Sequence, residues 1–205
     1  MNNSTSVSDT AQKAFDNDAS ARNYRPRLSF YHANGKGSGS AARFELVPAC
    51  GDREGSVFLT LASQKSVASG SVDQGNRQYA TFDWKNRIAV KLNFGDLCQM
   101  LSVFKGQAAT IADGKGLYHD SRTTTTRINL TRQAEPYAGL ALEVSRRGKA
   151  ESEQVLRTRI IFNNTEAFGL GAVLEQILGL LAFGIPNDVS YTSSSARAEG
   201  EPTVV

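Results

Sequence analysis

Hydrophobic and polar residues alternate with a period of two in several short stretches, and two of these stretches lead into helical patterns. Ile88, Val90 and Leu92 alternate with less apolar neighbours, which predicts a half-buried strand. Apolar residues then recur at spacings of three and four, which predicts a helix that begins after Asn93 and ends at Gly106. Further strands are predicted in this half over residues 28–31, 42–48 and 57–63.

The same succession of strands and a helix returns in the second half of the chain. An Asn-Asn-Thr run at residues 163–165 caps a predicted helix that extends to about Gly184, because Pro186 forbids its continuation. The order predicts an α+β fold, in which a repeat of four antiparallel strands and a helix forms two antiparallel sheets. The strands of this half are predicted over residues 117–119, 123–132, 140–145 and 155–162.

The second predicted helix is apolar on nearly every side between Phe168 and Phe183. Such a helix must be buried on most of its surface, and a monomer of 205 residues can hardly surround it. The pattern therefore predicts a homo-oligomer in which this helix packs against copies of itself, and Gly169, Gly171 and Gly179 allow a close approach. The alternative is the central core helix of a monomer.

Charge is distributed unevenly along the chain. The net charge is +3, but residues 1–20 and residues 187–205 each carry −2, which leaves +7 on residues 21–186. A basic body suits an anionic partner such as nucleic acid, although a basic surface also serves solubility. Residues 1–24 and 187–205 are polar and are predicted to be disordered tails on either side of one domain, residues 25–186. Its two halves are predicted to span about residues 27–106 and 116–185.

The cysteines and the N-terminal residues indicate the cellular compartment of the protein. Two cysteines do not make a disulfide framework, and Cys98, inside the first helix, is expected to be a buried thiol in a reducing compartment. The first twenty residues have no apolar core, so no signal peptide is expected, and the cytoplasm is the expected location. Glu175 and Gln176 at the centre of the most apolar run indicate a buried helix and no membrane partner.

Catalytic chemistry has little support in the sequence. The two histidines, His32 and His119, are assigned to loops, His119 where the short predicted strand 117–119 ends, and no metal-ligand, nucleophile or Walker pattern occurs. The GKGSG run at residues 35–39 lacks the GK[ST] ending of a phosphate loop and connects two strands. His119 and Asp120 have no accompanying nucleophile. We therefore expect no enzymatic activity, no cofactor and no metal.

Several segments resemble the Whirly single-stranded-DNA-binding proteins. Phe82-Asp83-Trp84-Lys85, followed by a strand and a helix that ends at Gly106, is similar to the aromatic-Asp-Trp signature of that family. The segment GLYHDSRTTTTRINL, residues 116–130, resembles its His-Asp loop and basic strand, and residues 164–184 resemble its closing helix. The resemblance covers roughly residues 27–185. Trypanosome mitochondrial guide-RNA-binding proteins share that fold, so RNA is an alternative partner to single-stranded DNA.

The resemblance implies two roughly perpendicular sheets, helices at the centre of a homotetramer, and single strands lying along sheet edges between protomers. It also implies a role in DNA replication, recombination or repair. Plant Whirly proteins carry a Lys-Gly-Lys-Ala-Ala-Leu motif linked to assembly beyond the tetramer. The comparable stretch here, residues 35–41, holds Lys36 as its one lysine, so higher assembly is not expected. With no transit peptide expected, a bacterial or phage version fits better than an organellar one.

The leading prediction is a sequence-tolerant single-stranded-DNA-binding protein that stacks bases on aromatic rings and contacts phosphates through cations. Alternatives are an RNA-binding or annealing factor on the same fold and a structural oligomer that binds proteins. The candidate stacking residues are Tyr31, Phe44, Tyr79, Trp84 and Tyr118. The candidate phosphate contacts are Lys36, Arg43, Lys65, Arg77, Lys85, Arg87, Lys91, Arg127 and Arg132.

Overall fold

A computed structural model of the chain describes residues 26–49, 54–70, 76–134, 138–150 and 155–183. The predicted disordered tails, residues 1–24 and 187–205, lie outside the described residues. The described residues form two antiparallel sheets and two α-helices, which confirms the predicted α+β class.

The first sheet is built from five strands because the third strand is long enough to pair with two partners on one side. β1 (Arg27–His32), β2 (Ser40–Val47) and β3 (Ser56–Ser66) are neighbours in sequence order. β5 (Ile88–Leu92) pairs with the first half of β3, and the two-residue strand β4 (Thr81–Phe82) pairs with its end. The sequence pattern did not predict β4, and the strand that it predicted over residues 57–63 ends before β3 does, at Ser66.

The second sheet contains four strands in sequence order: β6 (Leu117–Asp120), β7 (Thr124–Gln133), β8 (Gly139–Gly148) and β9 (Leu156–Phe162). The predicted end of the third of these strands at residue 145 is too early, because Arg146 and Arg147 continue β8 and pair with β7. Arg146 also ties the two sheets together. Its guanidinium donates to the carbonyl oxygen of Ala89 in β5 and to the hydroxyl of Thr126, and partial burial lowers its pKa.

Both helices begin at the same kind of cap. In α1 (Phe94–Phe104) the Asn93 side chain accepts from the Asp96 amide, and the Asp96 carboxylate accepts from the Asn93 amide. Asn163 and Glu166 form the same reciprocal pair at the start of α2 (Asn164–Phe183). Gly106, at φ +74°, follows the end of α1 in the left-handed conformation that glycine adopts at no steric cost.

The two histidines lie in strands and not in loops as predicted, and each connects one half of the chain to the helix of the other half. His32, at the end of β1, lies 2.8 Å from the capping carboxylate of Glu166 in α2. His119, in β6, lies 3.3 Å from the capping carboxylate of Asp96 in α1. Asp120 instead accepts from Lys149 and Thr125, and the hydrogen bond from Lys149 lowers its pKa. The two histidine contacts therefore join the two repeats to each other.

One continuous core joins the inner faces of both sheets and the helices. Phe44 belongs to this core with 3% of its surface exposed, and its ring contacts Phe30 and Phe162, so it is not a base-stacking residue. Alternation along β2 explains the burial, because Phe44 shares a face with Ala42 and Leu46. The expected burial of Cys98 is also wrong, since its helical position faces solvent.

Only one face of α2 is buried within the protomer, against the sheets and α1. Gly171 lies on that face, where an added Cβ would come within 3.2 Å of Phe104, whereas Cβ atoms at Gly169 and Gly179 would meet nothing within 4 Å. The opposite face leaves Phe168 81% exposed and Phe183 91% exposed. By length and composition, α2 is also apolar enough to cross a membrane, a test that the core helix of a soluble protein passes as well.

Candidate nucleic-acid interface

The outer face of the first sheet carries the main group of candidate side chains. Because side chains alternate along a strand, Tyr31 and Arg43 point away from the core that holds Phe30 and Phe44. The register places Tyr31 beside Ala41 of β2, and Ala41 beside Ala62 of β3. In this row of the sheet, small residues therefore lie next to one exposed aromatic ring.

The segment that follows β4 positions Trp84 over this outer face. The Asp83 amide donates to the carbonyl of Ser63, which fixes the segment to the end of β3. A tight turn follows, in which the Asp83 carboxylate accepts from the amide and side chain of Asn86, and these bonds lower its pKa. Arg87 donates to the Trp84 carbonyl over 2.7 Å. The turn thus holds Trp84 half-buried, outside the main core.

Three rings cluster at this place and line a concave surface. The Tyr31 ring centroid lies 5.6 Å from that of Phe82 and 6.4 Å from that of Trp84. Tyr79, 73% exposed, lines the same groove, which has a volume of about 470 Å³. We call this surface the aromatic groove. Its lining residues are Tyr31, Ala33, Tyr79, Ala80, Thr81, Phe82 and Trp84.

Cations surround the aromatic groove. The Arg43 guanidinium lies 4.3 Å from the centre of the Trp84 ring, and its buried Nε has no hydrogen-bond partner among the described residues. The Arg77 guanidinium lies 5.1 Å from the centre of the Tyr79 ring. Lys85 and Arg87 are exposed in the turn after Trp84. Aromatic rings beside cations give a surface that can stack bases and neutralise phosphates.

A buried glutamine organises the turn at one end of the aromatic groove. The Gln64 side-chain oxygen accepts from the amides of Asn34 and Gly39, and its amide nitrogen donates to the carbonyls of Asn34 and Ser66. The turn it fixes exposes Lys36, three residues after the groove residue Ala33. The GKGSG run is therefore a structured turn with one exposed cation.

The remaining candidates do not line the aromatic groove. Lys65 is exposed on β3 between Gln64 and Ser66, which pair with the groove residues Phe82 and Thr81. Lys91 is exposed on β5, where it pairs with Phe58. Tyr118, 61% exposed on β6, lies on the outer face of the second sheet. The Arg127 guanidinium lies 5.5 Å from the centre of the Tyr118 ring and donates to the carbonyls of Lys115 and Gly114.

Arg132 is engaged at the end of a helix. Its guanidinium donates to the carbonyl oxygens of Val103 and Phe104, the last residues of α1. A cation there satisfies carbonyls that have no partner within the helix and stabilises the negative end of the helix dipole. Its predicted role as a phosphate contact stays a prediction, because only Nη2 makes these bonds and the side chain is exposed. Arg127 and Arg132 also occupy positions of opposite parity on β7, so they do not form one row of cations.

Three arginines on the outer face of the second sheet were not predicted from the sequence. Arg147 on β8 and Arg157 and Arg159 on β9 alternate with inward-facing residues and are exposed. The alternation along the last strand is visible in the sequence and shows that Arg157 and Arg159 share one face. It does not show that this face also carries Arg127, because that depends on the order of the strands in the sheet. Arg157 pairs with Glu143 over 2.7 Å, and this ion pair raises the pKa of Arg157.

Known structures share this fold. No protein-family model matches the chain, and no curated protein sequence is similar to it. WHY1 from Arabidopsis thaliana superposes with a TM-score of 0.54 at 16% identity, covering 77% of this chain and 85% of that one. The plant transcriptional regulator PBF-2 gives 0.55 at 16% identity, covering 78% and 83%. WHY3 from Arabidopsis thaliana gives 0.52 at 16% identity, covering 78% and 92%. The predicted Whirly resemblance is therefore confirmed at the level of the fold.

Proposed function

We propose that this protein, whose fold is that of the Whirly proteins, binds single-stranded DNA with little sequence preference. The observation that carries the proposal is the aromatic groove, in which Tyr31, Tyr79 and Trp84 lie beside arginines on a sheet face outside the core. Every base has an aromatic face, so stacking on such rings tolerates any sequence. The bases of a duplex already stack on each other, which favours single strands as the ligand.

The energetic roles of rings and cations differ. A stacked base contributes roughly 1–3 kcal/mol, whereas each phosphate contact adds a salt-dependent term through counterion release. Arg43 serves both purposes, because its positively charged guanidinium lies against the Trp84 ring at the groove. The groove residues would thus hold bases while Arg77, Lys85 and Arg87 neutralise the backbone.

The proposal includes a homotetramer assembled through α2. The exposed face of α2 carries Phe168, Val173 and Phe183, and Gly169 and Gly179 leave open space for a neighbouring helix. Large exposed apolar surfaces of this kind mark interfaces. A ring of protomers would multiply the grooves along one strand and raise its overall affinity through multivalency. Such a binder serves DNA replication, recombination or repair in the cytoplasm of a bacterial or phage-infected cell.

A competition experiment tests this function. We expect a labelled oligothymidylate to bind and to be displaced by other single-stranded DNA, but not by the corresponding duplex at equal concentration. An RNA oligomer of the same length that competes better than DNA would assign the surface to RNA, because preference for RNA needs a contact to the 2′-hydroxyl. Absence of binding to every single strand would overturn the proposal in favour of a structural oligomer.

The contribution of phosphate binding is tested by replacing Lys85 and Arg87 together with alanine. Affinity should fall for every sequence, and the slope of log affinity against log salt should become shallower by about 0.7 for each phosphate that is no longer neutralised. The matched control replaces Arg122 and Lys149, two exposed cations on the loops of the second sheet. An unchanged slope in the Lys85 and Arg87 variant would show that the backbone follows another path.

A further inference from the structure

A second concave surface lies on the outer face of the second sheet and shares no lining residue with the aromatic groove. It is a cavity of about 300 Å³ bordered by β7, β8, β9 and the turn Ile111–Gly114. We call it the polar dish. The side chains that matter for its chemistry are Arg127, Asn129, Thr131, Gln133, Glu143 and Arg159.

The sheet register brings the acidic and basic groups of the polar dish together. Asn129 of β7 pairs with Glu143 of β8, and Glu143 pairs with Arg159 of β9, so three polar side chains cross the sheet in one row. Arg159 donates to the Gln133 side chain over 3.1 Å. The Glu143 side chain is only 16% exposed, and its Oε2 accepts from Arg157 at the outer edge.

The rim of the polar dish is a strained turn. Ala112 and Asp113 have φ angles of +47° and +51°, a left-handed conformation that side chains other than glycine rarely adopt. Arg127 fastens the turn, since its guanidinium donates to the carbonyls of Gly114 and Lys115. Strained backbone persists where the surrounding structure holds it, and it is concentrated at binding sites.

The largely covered carboxylate of Glu143 decides what kind of ligand fits. A surface that only neutralises phosphate would gain nothing from Glu143, because its negative charge repels an anion. A carboxylate accepts N–H donors, whereas Arg159 donates to acceptors on the same ligand. Guanine presents both kinds of group, with O6 and N7 as acceptors and the N1 and N2 groups as donors. The cavity lies at the small end of the range for ligand sites, which suits one base.

We propose that the polar dish binds one guanine base of a bound single strand, with Glu143 and Arg159 reading its edges. This inference rests on the proposed function, and it adds a sequence preference to an otherwise tolerant binder. Tyr118, exposed on the same face and beside Arg127, stacks the neighbouring base. The protein would thus prefer a strand that contains one guanine, whatever the rest of its sequence.

The test compares an oligothymidylate with the same oligomer carrying one central guanine. The wild-type protein should bind the guanine oligomer about tenfold more tightly, in line with the discrimination of specific base contacts. Glu143→Gln should abolish this ratio and leave oligothymidylate binding in place. The control Arg157→Ala breaks the same ion pair but keeps the carboxylate, so it should retain the ratio. Should Glu143→Gln fail to melt cooperatively, Glu143→Asp replaces it, with a reduced ratio expected.

The outcomes separate this inference from the proposed function. Tight binding of oligothymidylate with no guanine preference in the wild type would overturn the polar dish as a base site and leave the proposed function standing. A preference that persists in Glu143→Gln would also overturn it. Free guanosine monophosphate that displaces the guanine oligomer at equal concentration would assign the dish to a nucleotide and contradict a strand-bound base. Failure to bind any single strand would remove both proposals.

Discussion

Replacing Tyr31 and Trp84 together by alanine is expected to weaken single-stranded-DNA binding by about 30- to 1,000-fold, or on the order of 2–4 kcal/mol. The two rings are in contact and line the aromatic groove, so their removal takes away two of its stacking rings, although Tyr79 and Phe82 remain. The salt dependence of binding should hardly change, because neither residue carries charge. Fluorescence anisotropy titrations at several salt concentrations measure both quantities.

Two controls make the result of the double substitution interpretable. Phe94→Ala removes an aromatic ring of the first turn of α1 that is 47% exposed and lies outside the groove, so affinity should remain unchanged. Trp84→Leu keeps apolar cover over the sheet but removes most of the stacking area. Cooperative thermal melting of each variant reports on folding. Wild-type affinity in a folded double variant would show that bases do not lie in the aromatic groove.

Phe168→Asp is expected to convert the oligomer into monomers at micromolar concentration. Phe168 is 81% exposed in the protomer, and in the proposed tetramer its carboxylate replacement would lie unpaired in an apolar interface. Because the substitution removes little packing within the protomer, the thermal melting of the monomer should stay cooperative. Light scattering after size-exclusion chromatography gives the mass of the assembly.

The matched control for assembly is Val155→Asp, which introduces the same charge at an exposed apolar residue before β9. Its mass should equal that of the wild type. Ile177→Asp is less suitable, because Ile177 packs against the core and its replacement would destabilise the protomer itself. A monomeric wild-type protein, or a Phe168→Asp variant of unchanged mass, would contradict assembly through α2.

Local signals explain the parts of the fold that were predicted well. Alternation with a period of two predicted the positions of most strands, fully or in part, because a strand with one buried face requires it. The Asn93 and Asn163 caps predicted where both helices begin. The short strand β4 lacked such a signal, since two residues cannot show a period. Phe44 could have been excluded from the sequence alone, because its strand partners on the same face are Ala42 and Leu46.

Tertiary contacts account for what the sequence could not predict. Arg132 meets the end of α1 only because β7 runs beside it, and no local pattern reports that encounter. The pairing of His32 with Glu166 crosses 134 residues, so neither partner reveals the other. The polar dish depends on the register that places Glu143 beside both Asn129 and Arg159. Such sites follow from strand order, which periodicity does not specify.

The emission of Trp84 tests the central claim most directly, because Trp84 is the one tryptophan in the chain and lines the aromatic groove. Titration with oligothymidylate should quench its fluorescence along a saturating curve that coincides with binding measured by anisotropy. The corresponding duplex should leave the emission almost unchanged. Saturating single-strand binding with no change in Trp84 emission would place the strand elsewhere on the protein and contradict the account.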